Sequence, residues 1–164
     1  MPIAALIAWV MTASGGLYLL TIWLIEYDRE FQSTAATRLP VPVISSHALL
    51  AITGLFLWAI YLLTGAAQLT WAVVLILGVV AVLGLTMAVR WIRVYRAYAG
   101  SGRRARAAVA VPVGVGAGGY GASLGSRAAA PPERHFPVPV VVLHGLFAVA
   151  TIVLVVLSAL GHGS

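Results

Sequence analysis

Four long stretches of the sequence contain no charged side chain, and this pattern limits the chain to a membrane fold. Crossing a hydrocarbon core of about 30 Å takes roughly 20 apolar residues in a helix that rises about 1.5 Å per residue. With 62% hydrophobic and only 9% charged residues, the composition is also too apolar for a water-soluble protein of 164 residues. We therefore predict an all-α membrane protein with four transmembrane helices, at about 3–25, 41–67, 69–89 and 138–160.

The charged residues occupy only two segments, which predicts the orientation in the membrane. One segment lies between helices one and two, and the other, with eight of the ten arginines, lies between helices three and four. Because Arg-rich segments beside membrane helices stay in the cytoplasm, we expect both segments to be cytoplasmic and both termini to be outside. The absence of lysine and the abundance of alanine, glycine and valine are typical of a GC-rich bacterial genome. We therefore expect a multi-pass protein of the bacterial inner membrane.

The second charged segment differs from the first in length and composition. Residues 97–133 are rich in Gly, Ala, Pro and Arg and have no regular hydrophobic period, so we predict a flexible basic cytoplasmic loop. Its Gly-rich part, GVGAGGYG, has neither a preceding strand nor a following Lys-Ser/Thr pair, which argues against a nucleotide-binding loop. Contact with the lipid bilayer or with a partner subunit suits it better, and we expect no nucleic-acid partner.

Two sequence patterns recur in the two halves of the chain. WLIEY at 23–27 closes helix one as WIRVY at 91–95 closes helix three, and PVPVISSH at 40–47 opens helix two as PVPVVVLH at 137–144 opens helix four. Since both halves cross the membrane in the same sense, we predict a four-helix bundle built from two parallel two-helix repeats. The prolines fit the first turn of a helix, where an amide hydrogen would have no intrahelical partner.

His47 and His144 are the candidate functional residues of this duplicated pattern. Each follows the first proline of its motif by seven residues, or about 10 Å along a helix, and so lies at membrane depth. Ionisable side chains at such depth usually face the bundle interior and mark function. We predict that helices two and four are adjacent and that both imidazoles share one volume. We interpret the small residues of helices one and three, including Gly16 and Gly84, as close-packing faces.

Two neutral imidazoles at equal depth are suited to the two faces of one haem. The arrangement resembles the bis-histidine b-type cytochromes of four-helix membrane bundles. The resemblance covers the transmembrane architecture and the two histidines, and it implies one haem b between helices two and four, with His47 and His144 as iron ligands. It implies electron transfer, as in a subunit of a membrane oxidoreductase, with a quinone or a cytoplasmic redox protein as partner.

Haem propionates need cationic or hydrogen-bonding partners, and four arginines near the ends of the helices are candidates. They are Arg38, Arg134, Arg90 and Arg93. Arginines in such positions also set topology and bind lipid headgroups, so both roles stay open. No catalytic constellation of Ser, His and acid is visible in the sequence.

Two other functions are compatible with the same sequence. The chain could be a non-haem accessory or anchor subunit of a larger membrane complex, with histidines that hydrogen-bond between helices. A small transporter is the third alternative, disfavoured because no membrane-buried carboxylate interrupts the four apolar stretches.

The topology prediction can be tested by single-cysteine labelling, since the chain has no cysteine of its own. Cysteines at Gln68 and Gly163 should react with a membrane-impermeant reagent added from outside. Cysteines at Ser33 and Ser123 should be protected until the membrane is opened. The reverse labelling pattern would contradict the orientation inferred from the arginines.

Overall fold

The chain is an all-helical bundle, seen in a computed structural model that describes residues 1–33, 39–109 and 135–161. Its helices, in chain order, are α1 Pro2–Ser33, α2 Val41–Thr64, α3 Gln68–Val109 and α4 Val138–Leu160. Each is long and apolar enough to cross a membrane, and the apolar spans are Pro2–Glu26, Val41–Thr64, Gln68–Arg96 and Val138–Leu160. The predictions of fold class and of a multi-pass membrane protein are confirmed.

The repeated proline motif starts α2 and α4 in the same way. Pro40 and Pro137 precede the helices with nearly identical backbone angles, φ −66° with ψ 123° and φ −66° with ψ 120°. The carbonyl of Pro40 accepts hydrogen bonds from the amides of Val43 and Ile44, and Pro137 does the same for its own helix. Because the second proline of each motif lies in the first turn, its missing amide hydrogen costs nothing there. The two histidines therefore start from equivalent helix ends.

Three helices end at other residues than predicted: α1 and α3 extend further into the charged segments, and α2 stops earlier, at a glycine. Helices α1 and α3 continue beyond the apolar spans, and residues 97–109, predicted as the start of a flexible loop, are helical. Charge ends a membrane span but does not end a helix, since arginine, glutamate and alanine are good helix formers. Helix α2 ends earlier than predicted, because Gly65 adopts a left-handed φ of 69° and donates its amide to the Tyr61 carbonyl.

The four helices form a ring in which the closest neighbours come from different halves of the chain. Helix α1 packs most extensively against α4, and α2 against α3, while α1–α2 and α3–α4 contacts are sparser. Within the α1–α4 pair the hydroxyl oxygens of Thr12 and Thr151 are 3.3 Å apart, and His135 Nδ1 lies 3.8 Å from a Glu26 carboxylate oxygen. Among the described residues α2 and α4 are not neighbours but lie diagonally, so the prediction that they are adjacent is wrong.

The buried apolar side chains form two clusters at different levels of the bundle. We call the end that holds Glu26 and Arg90 the charged end, and the end that holds Pro2 and Gly65 the uncharged end. The larger cluster, near the uncharged end, contains Ala5, Trp9, Trp58, Tyr61, Val73, Leu77 and Val155. The smaller cluster, near the charged end, contains Trp23, Leu39 and Ile44 with Leu20, Met87 and Phe136 packed against it. The histidines lie at the level between the clusters.

The pairing of helices across the two halves can be tested with cysteines at Thr12 and Thr151. Their hydroxyl oxygens are 3.3 Å apart, so the two side chains already point towards each other and sulfur atoms in their place would lie close together. In a variant with a protease site inserted between residues 110 and 134, mild oxidation should keep the two cleaved halves joined on a non-reducing gel.

The matched control for this crosslink pairs Thr12→Cys with Val149→Cys, because Val149 is exposed on α4 and lies in the other cleaved half. Crosslinking of the control pair, with none between positions 12 and 151, would contradict the contact between these faces of α1 and α4.

Candidate functional site

The imidazoles of His47 and His144 meet in the middle of the bundle. Their ring centres are 6.4 Å apart, and the ring planes are inclined by 60°. Both side chains are partly buried. Although α2 and α4 lie on a diagonal, the side chains reach across it, so the two rings share one volume as the sequence predicts.

Each imidazole is fixed by a backbone carbonyl of the helix with which its own helix pairs. His144 Nδ1 lies 2.8 Å from the carbonyl oxygen of Thr12, and His47 Nδ1 lies 3.1 Å from that of Val80. A carbonyl can only accept, so both Nδ1 atoms must carry the hydrogen. In a neutral ring this leaves Nε2 with a free lone pair, which is the tautomer that binds a metal through Nε2.

These two contacts are the same contact repeated in the two halves. Thr12 and Val80 each lie eleven residues before the tryptophan of WLIEY and WIRVY. A carbonyl oxygen has two lone pairs, so it can accept from the imidazole without losing its bond within the helix. Sequence reasoning missed this partner because a backbone carbonyl leaves no signal in residue type.

Glycine makes room for each imidazole on the neighbouring helix. A Cβ atom added at Gly16 would lie 2.9 Å from Cε1 of His144, and one added at Gly84 would lie 3.1 Å from Cε1 of His47. Both glycines lie seven residues before the repeated tryptophans, so they are equivalent positions. The interpretation of these residues as close-packing faces is therefore too general, because both of them pack against the rings of the candidate site.

The level of the histidines has small side chains where the levels above and below have large ones. Ala51 and Ala148 follow the histidines by one turn and are partly buried, while the two apolar clusters close the interior on either side. The α1–α4 and α2–α3 pairs each pack more extensively than the two pairs pack against each other, and one histidine belongs to each pair. We call the region between the two pairs, at the level where the imidazoles meet, the slot.

The available donor atoms restrict which metal group the slot could hold. The described residues contain no group of three or more His, Cys, Asp or Glu side chains that could hold a metal ion. Two imidazoles are too few for a structural zinc site, which takes four protein ligands. They are sufficient for a haem, because the porphyrin supplies the four equatorial nitrogens and the protein only the axial ones.

The four arginines predicted to hold haem propionates are only partly visible. Arg38 and Arg134 lie outside the described residues. Arg90 and Arg93 are exposed at the charged end of α3. The proposed role of all four remains a prediction.

Trp91 carries a buried polar atom that the sequence analysis did not identify. Its side chain is 9% exposed, and its indole Nε1 has no hydrogen-bond partner among the described residues. Its ring packs on Tyr95, with centres 5.6 Å apart. A buried donor without an acceptor lowers the free energy of unfolding by about 1–3 kcal/mol, unless a group outside the described residues accepts the hydrogen bond. The recurrence of tryptophan in WLIEY and WIRVY was the sequence signal that could have identified this residue.

A separate cavity of about 320 Å³ lies at the uncharged end, lined by Pro2, Ile3, Tyr61, Leu62 and Gly65. It has no ionisable group other than the Tyr61 phenol, and it does not include the histidines. The two histidines and this cavity are therefore distinct features.

Comparison with known protein families, curated proteins and solved structures gives no match to this chain. The site must accordingly be interpreted from its own residues and distances.

The steric role of the two glycines predicts a selective effect of alanine. Gly16→Ala should lower the free energy of unfolding by about 1–3 kcal/mol, because the new methyl group overlaps an imidazole that is held by its hydrogen bond to Thr12. Gly84→Ala should have a smaller effect of the same sign, because its contact with His47 is longer. Unfolding in detergent, followed by circular dichroism, measures the change.

Two glycines of the same helices serve as matched controls. A Cβ at Gly15 would meet only ordinary contacts, the nearest at 3.5 Å, and one at Gly78 would meet nothing within 4 Å. Gly15→Ala and Gly78→Ala should therefore be neutral or slightly stabilising, since alanine favours the helix. Equal losses at all four positions would contradict the specific contact with the histidines.

Proposed function

We propose that this protein binds one b-type haem through His47 and His144 and takes part in electron transfer in the membrane. The observation that supports the proposal most directly is the separation of the two rings, 6.4 Å between their centres. With a metal–imidazole bond of about 2 Å and roughly 1 Å from nitrogen to ring centre, one metal held by both histidines would need their ring centres about 6 Å apart. The distance between the rings already suits a shared metal.

The tautomer of both rings supports the same proposal. With Nδ1 hydrogen-bonded to the Thr12 and Val80 carbonyls, Nε2 is the nitrogen left to bind iron. Such hydrogen bonds orient a ligating histidine and make it a better electron donor to the metal. Because the carbonyls belong to rigid helices, the chain holds both imidazoles before any cofactor enters.

The haem would supply a one-electron redox centre, and the protein would supply its surroundings. Two histidine ligands leave no coordination position for a gas or a substrate, which favours electron transfer over gas binding. The apolar clusters above and below the histidines exclude water from that level. A centre near one leaflet would exchange electrons with a quinone or with a cytoplasmic redox protein at the charged end.

The alternative of a non-haem accessory subunit is favoured by one specific observation. Each histidine already makes a hydrogen bond to a neighbouring helix, as such a structural role requires. That role does not account for the nearness of the two rings or for the free Nε2 atoms. In the accessory alternative, the protein stays colourless and the histidines contribute only to stability.

An absorption spectrum of the protein purified from haem-replete cells separates the two proposals. We expect the sharp, split bands of reduced low-spin haem and little reaction with carbon monoxide. His47→Ala and His144→Ala should each open a coordination position, so that the variant either loses haem or binds carbon monoxide. His135→Ala is the matched control, because His135 lies outside the slot, against Glu26.

A colourless protein that remains colourless when titrated with haem would contradict the proposal and favour the accessory subunit. A low-spin spectrum that survives both histidine variants would contradict the assignment of the ligands.

A further inference from the structure

The buried indole of Trp91 is a hydrogen-bond donor that has no role in the haem site as proposed above. Trp91 follows Gly84 by seven residues on α3, so it lies on the same face of the helix and about 10 Å nearer the charged end. Gly84 contacts His47, which makes α3 the wall of the slot on which both features lie. A buried donor needs an acceptor, and none of the described residues supplies one to Trp91 Nε1.

We propose that Trp91 Nε1–H donates a hydrogen bond to a carboxylate of the cofactor held by His47 and His144, that is, to a haem propionate. The inference rests on the proposed function, and it adds a binding residue for the anionic edge of the cofactor. It also gives the cofactor a direction in the slot, with the propionates towards the charged end.

The position of Trp91 matches the shape of a porphyrin. The axial rise from the level of Gly84 to that of Trp91 is comparable with the reach of a porphyrin from its iron to its propionate carboxylates. A carboxylate in an apolar interior requires hydrogen-bond donors, and bonds to an ionised acceptor are stronger than neutral ones. Arg90 and Arg93 are exposed on the same helix, whereas Trp91 lies inside the bundle and can serve the buried oxygen.

The indole of Trp91 is chemically suited to this role. Its ring contacts that of Tyr95 one turn further along α3. The indole N–H is a donor only and does not ionise, so it can bind a carboxylate without bringing a second charge into the membrane. An unpaired donor is a poor element of a purely apolar core, where phenylalanine would fill the space without the cost.

The test compares haem with haem dimethyl ester, which has no free carboxylate. Both are titrated into haem-free protein in detergent and followed by absorbance. Trp91→Phe should weaken haem binding roughly tenfold, the loss expected for a hydrogen bond to a charged group, and leave the ester nearly unchanged. The reduction potential of the bound haem should also become more negative, because the propionate charge loses a compensating donor.

Two further variants make the result specific. Trp71→Phe changes an exposed tryptophan of the same helix and should affect neither ligand. Because Trp91→Phe could loosen the bundle by removing volume, a second variant carries benzothienylalanine at position 91. That residue replaces the N–H by sulfur and keeps the ring size, so it should reproduce the selective loss for haem.

The outcomes distinguish this inference from the proposed function. If wild-type protein binds neither ligand, the proposed function is wrong and the inference fails with it. If wild-type protein binds haem and the position 91 variants bind haem equally well, only the role of Trp91 is overturned. Equal weakening of haem and ester would assign Trp91 to packing and also overturn its contact with the carboxylate.

Discussion

The hydrogen bond from an imidazole Nδ1 to a carbonyl of a neighbouring helix is the interaction on which the centre of this bundle depends. It occurs twice, from His144 to Thr12 and from His47 to Val80. It requires that the neighbouring helix come very close, which glycine permits at positions 16 and 84. It also fixes the tautomer, so a packing contact decides which nitrogen remains available for chemistry. At this level the same contacts that pack the helices also orient the imidazoles.

The same contact accounts for the order of the helices. Each histidine belongs to one half of the chain and its carbonyl to the other, so the site is complete only when the halves are interlocked. The result is two tight helix pairs with a slot between them, rather than two separate hairpins. Large apolar side chains pack together near both ends of the bundle, and the two imidazoles with their glycines occupy the level between them.

The duplication is close at the histidines and at the proline caps, and the two halves differ at the repeated tryptophans. The proline caps, the carbonyls and the glycines are equivalent in the two halves. Within the part of the chain that the structure describes, Trp91 has no partner for its indole nitrogen, whereas Trp23, at the matching position, takes part in an interaction. If the α1–α4 and α2–α3 pairs were identical, a bound group could sit between them in either of two orientations. A difference between the two pairs can favour one orientation of an asymmetric group.

The sequence by itself determined the four spans, the helix starts and the equal depth of His47 and His144, because hydropathy and proline act locally along the chain. It did not determine the diagonal placement of α2 and α4 or the helical course of residues 97–109. Nor did it show the carbonyl partners or the contact of Gly16 and Gly84 with the rings. Those features depend on which helix faces join, and many pairings of apolar helices satisfy the same pattern, so only tertiary packing could decide.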